Sequence, residues 1–80
     1  GAIRNWVNLQ EGNACFYMLA DLHAITVPQQ PEKLRQFVRE SAAALIACGV
    51  HPKNSAIFPQ SAVFQHAELN WILACHTPLG

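Results

Sequence analysis

One stretch of the chain, residues 14–20, limits the possible folds more than any other. Its residues, Ala-Cys-Phe-Tyr-Met-Leu-Ala, form a continuous apolar run between Gly12-Asn13 and Asp21. This length suits a strand, and apolar residues at every position are typical of a strand that is covered on both faces, as in a parallel sheet. The sequence therefore predicts a buried parallel strand over residues 14–20.

A helix and a second strand are predicted to follow. Apolar or small side chains recur at steps of three and four residues at Leu34, Phe37, Val38, Ser41, Leu45 and Cys48. This spacing predicts a helix over residues 32–48, which Pro31 begins and Gly49 ends. A short apolar run predicts a strand over residues 56–59, with Pro59 at its end because proline lacks the N–H that a ladder needs. Together they form a βαβ unit, which is right-handed in nearly every known case.

Two further helices flank this unit. A helical stripe predicts a helix over residues 2–11, which Gly12 ends, and Ser61 is expected to cap a last helix over residues 63–76. One side of the last helix is expected to hold the apolar residues Val63, Ala67, Trp71, Ala74 and Cys75. The order is α-β-α-β-α, and the fold class is α/β. Two strands are few for a parallel sheet, so we expect part of a larger doubly wound sheet.

Charged side chains are scarce for so short a chain. They make up 12% of the residues, with five basic and five acidic groups and no net charge, while apolar residues make up 51%. Ordinary domains carry about 25% charged residues. The composition excludes a disordered chain and a basic nucleic-acid-binding tail. It predicts apolar faces that partner subunits or the rest of a larger protein cover. Charged residues or histidine interrupt every apolar run, so no membrane span is expected.

The cysteines and histidines indicate neither a disulfide framework nor a metal site. Cys15, Cys48 and Cys75 lie in apolar runs without a C-x-x-C pair. We interpret them as buried free thiols of a reducing compartment, either the cytoplasm or the interior of a bacterial-type organelle, with a disulfide as the alternative. His66, Cys75 and His76 lack the short spacings of zinc ligands, so no metal ligand is predicted.

Polar residues follow both predicted strands. Asp21, His23 and Thr26 come after the first strand, and Gln60 and Ser61 come after the second. The carboxyl ends of parallel strands share one edge, where ligands of open α/β sheets bind, so these residues are expected to meet there. A structural interpretation remains open, in which Asp21 and Thr26 satisfy loop amides, Ser61 caps a helix, and His23 is buried in the core with paired nitrogens.

Several segments resemble one family over the whole length of the chain. They are Gly1-Ala2-Ile3-Arg4-Asn5-Trp6-Val7, Asp21-Leu22-His23-Ala24-Ile25-Thr26-Val27, Ala47-Cys48-Gly49, Ile57-Phe58, Gln60-Ser61 and His66-Ala67. In these segments the chain is similar to bacterial and mitochondrial tryptophanyl-tRNA synthetases, and the Asp-x-His-Ala-Ile-Thr-Val run is highly specific. The resemblance implies that residues 1–80 are a single fragment of a class I catalytic domain with a Rossmann-like parallel sheet.

The resemblance also implies a reaction and its partners. The family activates tryptophan with ATP and Mg²⁺ and transfers it to its tRNA. In the family's pattern Ala20 and His23 belong to the tryptophan pocket, with Asp21 adjacent. Gln60 and Ser61 are candidates for the edge of the site because they follow the second strand at the same edge of the sheet. The HIGH-like and KMSKS-like signatures that hold the ATP phosphates fall outside these residues. The resemblance therefore assigns no catalytic residue and no cofactor to this chain.

Two hypotheses follow. In the first, the chain is a piece of a tryptophan-activating ligase that is inactive in isolation. In the second, it is a non-catalytic α/β module derived from that synthetase, whose apolar faces pair with identical copies. A homo-oligomer is expected in both. The positions of the cationic side chains also predict that the isolated chain is inactive, because the sequence places all of them away from the carboxyl edge of the strands. These side chains are Arg4, Lys33, Arg35, Arg39 and Lys53.

Overall fold

The chain forms a two-stranded parallel sheet with helices before, between and after its strands. The structure is a computed structural model that describes residues 1–78. Its elements are α1 (Ala2–Leu9), β1 (Cys15–Leu19), α2 (Asp21–Ala24), α3 (Pro31–Ala47), β2 (Ser55–Pro59), a 3₁₀ turn (Gln60–Ala62) and α4 (Gln65–His76). In the sheet Cys15 lies opposite Ser55 and Leu19 lies opposite Pro59. The predicted α/β class and the βαβ unit are confirmed.

Helix α3 has the ends that the sequence predicts. Pro31 is its first residue, where a missing N–H removes no helical hydrogen bond. At its other end Gly49 has a φ of +117°. The N–H of Gly49 donates to the carbonyl of Ile46 at 3.1 Å, and the N–H of Val50 donates to the carbonyl of Leu45 at 3.0 Å. These two bonds form a Schellman motif, which needs the positive φ that glycine adopts without strain.

The flanking helices differ more from the prediction. Helix α1 ends at Leu9, two residues early, and the following turn contains Gly12 with a φ of +76°. Helix α4 begins at Gln65 rather than residue 63. The expected Ser61 cap is wrong, because Phe64 precedes the helix and no side chain caps it. Ser61 lies in the 3₁₀ turn instead.

The described residues bury little apolar surface. Only Leu45, Val50 and Ser55 are buried within residues 1–78. Along β1 half-buried side chains alternate with exposed ones, and Phe16 is 75% exposed. No residue of α4 is buried, and Trp71 is 71% exposed. The predicted cover on both faces of β1 is therefore not supplied by these residues, nor is any cover for α4. The predicted apolar side of the last helix is wrong, because the apolar side chains of α4 are spread around the helix and Val63 precedes it.

One glutamine joins three parts of the fold. The side-chain Nε2 of Gln10 donates to the carbonyls of Val7 and Gly49, each at 3.0 Å. Its Oε1 accepts from the backbone N–H of His51 at 2.8 Å and from the Oγ of Ser55 at 3.1 Å. The end of α1, the turn after α3 and the start of β2 are thus fixed together.

The cysteines are unpaired, but their expected burial is largely wrong. Cys15 is half-buried, whereas Cys48 and Cys75 are exposed. Among the helices of residues 1–78, none combines the length and the apolar character that crossing a bilayer requires.

Candidate functional site

The carboxyl ends of the two strands are joined by a carboxylate and a serine. Asp21 directly follows the Ala20 that ends the apolar run, and Ser61 lies in the 3₁₀ turn after β2. The backbone N–H of Ser61 donates to Oδ1 of Asp21 at 2.9 Å, and the Ser61 hydroxyl donates to Oδ2. The structure thus brings Asp21 and Ser61, predicted to share this edge, into direct contact across 40 residues of sequence.

The same hydrogen bonds govern the ionisation of Asp21. Partial burial acts to raise the pKa of this carboxyl, but the hydrogen bonds from the hydroxyl and N–H of Ser61 lower it, as do the backbone N–H groups of Leu22 and Asp21 itself. The hydrogen bonds outweigh desolvation, so the pKa of Asp21 lies below its usual range. The carboxylate is therefore a fixed negative charge at neutral pH.

An apolar cleft of about 230 Å³ lies between the end of β1, α2 and α3. Ala20, Asp21 and Ala24 line one side of it, and Leu34 and Phe37 of α3 line the other. Pockets for small molecules usually measure about 300–1,000 Å³. These residues therefore form part of a ligand pocket rather than a whole one.

A second cleft at this edge, of about 270 Å³, is lined in part by positively charged side chains. Asp21, Pro59 and Ser61 line it together with Arg35 and Arg39 of α3. The sequence placed both arginines away from the carboxyl edge, and that prediction is wrong. A crossover helix begins where the first strand ends, so its first half lies beside the carboxyl edge. The helix direction was the signal that would have located them.

The other predicted residues occupy more peripheral positions. His23 is exposed on α2, so its expected burial in the core is wrong. Its backbone carbonyl accepts from the Oγ1 of Thr26 at 2.8 Å, which is the structural role expected of that threonine. Gln60 is half-buried in the 3₁₀ turn, and its carbonyl accepts from the N–H of Val63 at 3.0 Å.

Metal-binding groups do not gather at this edge or elsewhere in residues 1–78. Within that range no three His, Cys, Asp or Glu side chains lie close enough to share an ion. The chemistry that these residues offer is hydrogen bonding from fixed backbone, one carboxylate and two guanidinium groups.

A family model described as "tRNA synthetases class I (W and Y)" matches residues 1–80. The chain belongs to this family. Its sequence is 50% identical over 86 residues to the mitochondrial tryptophan–tRNA ligase of Schizosaccharomyces pombe. It is 52% identical over 80 residues to the tryptophan–tRNA ligase of Rickettsia bellii. The resemblance to bacterial and mitochondrial enzymes is confirmed.

Solved structures of the family share the fold. Tryptophanyl-tRNA synthetase from Campylobacter jejuni, complexed with ADP and tryptophan, superposes with a TM-score of 0.90 and 41% identity, covering 100% of this chain. A second structure of that synthetase gives a TM-score of 0.88. The chain covers 24% of each of the two ligases and 25% of the solved structure. It therefore spans about a quarter of the length of the relatives it matches.

Proposed function

We propose that this chain is part of a tryptophan–tRNA ligase, which activates tryptophan with ATP and Mg²⁺ and transfers it to its tRNA. The observation that carries the proposal is the superposition of the whole chain on a synthetase whose structure holds ADP and tryptophan. Identities of 50% and 52% to ligases named for tryptophan support the same amino acid. In this proposal residues 1–80 are one fragment of a Rossmann-like catalytic domain.

The carboxyl edge is the part of the chain that takes part in substrate binding. Ala20 and His23 contact tryptophan, with Asp21 adjacent, and Gln60 and Ser61 border the site. Support comes from the apolar cleft that Ala20 lines, because an indole ring needs an apolar wall. His23 is exposed on this chain, so its imidazole is open to a ligand or to a neighbouring segment.

Adenylate formation needs more positive charge than this edge provides. The reaction develops negative charge on the ATP phosphates, and fixed opposite charges supply most of the acceleration. Arg35 and Arg39 are the cations that line the cleft at this edge, beside the carboxylate of Asp21. The family's phosphate-binding signatures lie outside residues 1–80. The isolated chain is therefore inactive in this proposal.

Tryptophan-dependent exchange of pyrophosphate into ATP tests the proposal. The protein that the complete gene encodes is expected to catalyse exchange, and the purified 80-residue chain is not. His23→Ala in the complete protein is expected to raise the KM for tryptophan. His51→Ala, at the opposite end of the strands, is the matched control and leaves that KM unchanged. Exchange by the 80-residue chain, or none by the complete protein, would contradict the proposal.

A second candidate, a self-associating module, is favoured by the apolar surface. Phe64, Leu69 and Trp71 are 68%, 56% and 71% exposed on or beside α4. A helix with apolar residues on all sides is normally buried. In this candidate a second copy of the chain covers α4, and association replaces catalysis as the chain's role. A homo-oligomer is proposed for both candidates, since apolar surface that the rest of a ligase leaves open would be covered by a partner subunit.

The proposed location is the cytoplasm or the interior of a bacterial-type organelle. The three cysteines are unpaired and two of them are exposed. Exposed thiols persist unoxidised where the compartment is reducing. The relatives named above are bacterial and mitochondrial, which agrees with this location.

A further inference from the structure

Helix α2 has little of its own to hold it in place. It is a single turn, Asp21–Ala24, and no side chain caps its first residues. A helix this short is unstable in water unless tertiary contacts fix it. Its most extensive contacts within the described residues are with the 3₁₀ turn and α3. The orientation of Ala20 and His23 therefore depends on those contacts.

Two hydrogen bonds join α2 to the 3₁₀ turn. Each carboxylate oxygen of Asp21 accepts one hydrogen bond from the same residue, Ser61. Bonds to an ionised acceptor are about twice as strong as neutral ones, and a pair of them fixes rotation as well as distance. Ser61 is itself held by the sheet, because Pro59 at the end of β2 pairs with Leu19 in the parallel register. The carboxylate thus ties α2 to the end of the second strand.

We propose that Asp21 and Ser61 are a positioning pair: their hydrogen bonds set the orientation of α2, and so hold Ala20 and His23 where tryptophan binds. The inference rests on the proposed function for the substrate, but the pair's effect on α2 stands apart from it. In this scheme Ser61 acts on tryptophan binding only through Asp21 and α2. Loss of the pair weakens tryptophan binding and leaves ATP binding unchanged, because the phosphate-binding signatures lie outside this chain.

The test uses three substitutions in the protein that the complete gene encodes. Ser61→Ala removes the hydroxyl donor, and Ser61→Thr restores a hydroxyl at the same position. Thr77→Val is the matched control, because Thr77 also donates an exposed hydroxyl, to the carbonyl of Leu73 at 2.7 Å. For each protein, amide hydrogen exchange of Leu22–Ala24 and the separate KM values for tryptophan and ATP are measured.

Ser61→Ala is expected to speed exchange at Leu22–Ala24 and to raise the KM for tryptophan about tenfold, with the KM for ATP unchanged. Ser61→Thr is expected to restore both values, and Thr77→Val to alter neither. If Ser61→Ala does not fold, Asp21→Asn takes its place, since it keeps the shape and removes the charge. Rescue by threonine separates positioning from general loss of stability.

Each other outcome overturns a distinct claim. Unchanged exchange at Leu22–Ala24 in Ser61→Ala overturns the hold on α2. Faster exchange with an unchanged KM for tryptophan, or an equal rise in both KM values, overturns the positioning role. A parent protein that shows no tryptophan-dependent activity overturns the proposed function and the positioning role with it, while the exchange data still decide what holds α2.

Discussion

At the scale of single residues, Gly49 occupies a position that does not suit a residue with a Cβ. Its φ of +117° is strained for any residue with a Cβ, and a Cβ built there would meet Cγ1 of Val7 at 3.0 Å. Gly49→Ala is expected to destabilise the chain by about 1–3 kcal/mol, from backbone strain and from the contact with Val7. Urea unfolding followed by circular dichroism measures the change.

Gly12 provides the control for that substitution. It also has a positive φ, +76°, but nothing lies within 4 Å of a Cβ there. Gly12→Ala is therefore expected to cost less than Gly49→Ala, since only backbone strain applies. Val7→Ala in the Gly49→Ala background is expected to recover the cost of the contact. Equal losses at the two glycines would show that Val7 yields without cost.

Asp21 makes the stability of the chain depend on pH. The pKa of Asp21 is lowered in the folded chain, whereas an unfolded aspartate has a pKa of about 3.9. Stability from its hydrogen bonds is therefore present above the unfolded value, and it is lost as pH falls through the lower, folded value. Unfolding free energies measured from neutral pH down through this range are expected to fall less steeply in Asp21→Asn than in the parent.

Glu68→Gln is the control for the acid titration, because Glu68 is exposed on α4. The parent's pH dependence is expected to persist in that variant. If the Asp21→Asn curve runs parallel to the parent's curve, the hydrogen bonds of Ser61 do not stabilise the ionised carboxylate, and the electrostatic account of the site is wrong.

At the scale of secondary-structure elements, the sequence predicted correctly those features that interactions between neighbouring residues determine. Pro31 and Gly49 fix the ends of α3 through backbone geometry, so the sequence located that helix to within one residue. The run at residues 14–20 located β1 because seven apolar residues suit a strand better than a helix. These signals act between neighbours in sequence and need no knowledge of the tertiary structure.

The errors occur where tertiary contacts decide the outcome. Ser61 suited a helix cap by type, yet its hydroxyl bonds to Asp21, which is 40 residues away in sequence. His23 is flanked by apolar residues, yet it is exposed on a single helical turn, which is too short to show a helical periodicity in the sequence. Arg35 and Arg39 are the exception, because the direction of α3 in the predicted βαβ unit was enough to place them beside the carboxyl edge. The two strand ends were predicted to converge, but the pairing of Asp21 with Ser61 was not.

Helix α3 also contains a weak point, at its N-terminus. Gln30 is its N-cap, with the extended backbone of a cap (φ −83°, ψ 128°), but its side chain makes no cap hydrogen bond. Gln30→Asp is expected to stabilise the chain by about 1 kcal/mol, because a carboxylate there accepts a bond from an unpaired N–H and faces the positive end of the helix.

The midpoint of urea unfolding measures the effect of the cap. Gln30→Glu adds the same charge at the same position on a longer side chain, which is not a preferred cap, and is expected to change the midpoint less. Equal gains from the two substitutions would assign the effect to general electrostatics rather than to the cap.

At the scale of the whole molecule, the chain exposes more surface than a compact monomer of its mass. Its accessible area is 6560 Å² at 8.8 kDa. A compact monomer of that mass would expose about 4,800 Å². The radius of gyration is 15.1 Å, against about 11.6 Å for a compact chain of this length. The difference in area exceeds the roughly 800 Å² that each partner buries in an interface of ordinary size. More than one face is therefore left to be covered.

The last prediction follows from that uncovered surface. With no net charge to keep copies apart, the 80-residue chain is expected to associate into a dimer or a larger assembly through α4. Light scattering is expected to give a mass above 8.8 kDa that rises with concentration. Trp71→Asp, at a side chain that is 71% exposed, is expected to shift the population toward monomer by burying a charge in the contact. Asn54→Asp adds the same charge in the exposed turn before β2 and is expected to leave association unchanged. A monodisperse 8.8 kDa particle at high concentration would show that these apolar faces do not pair with copies of the chain.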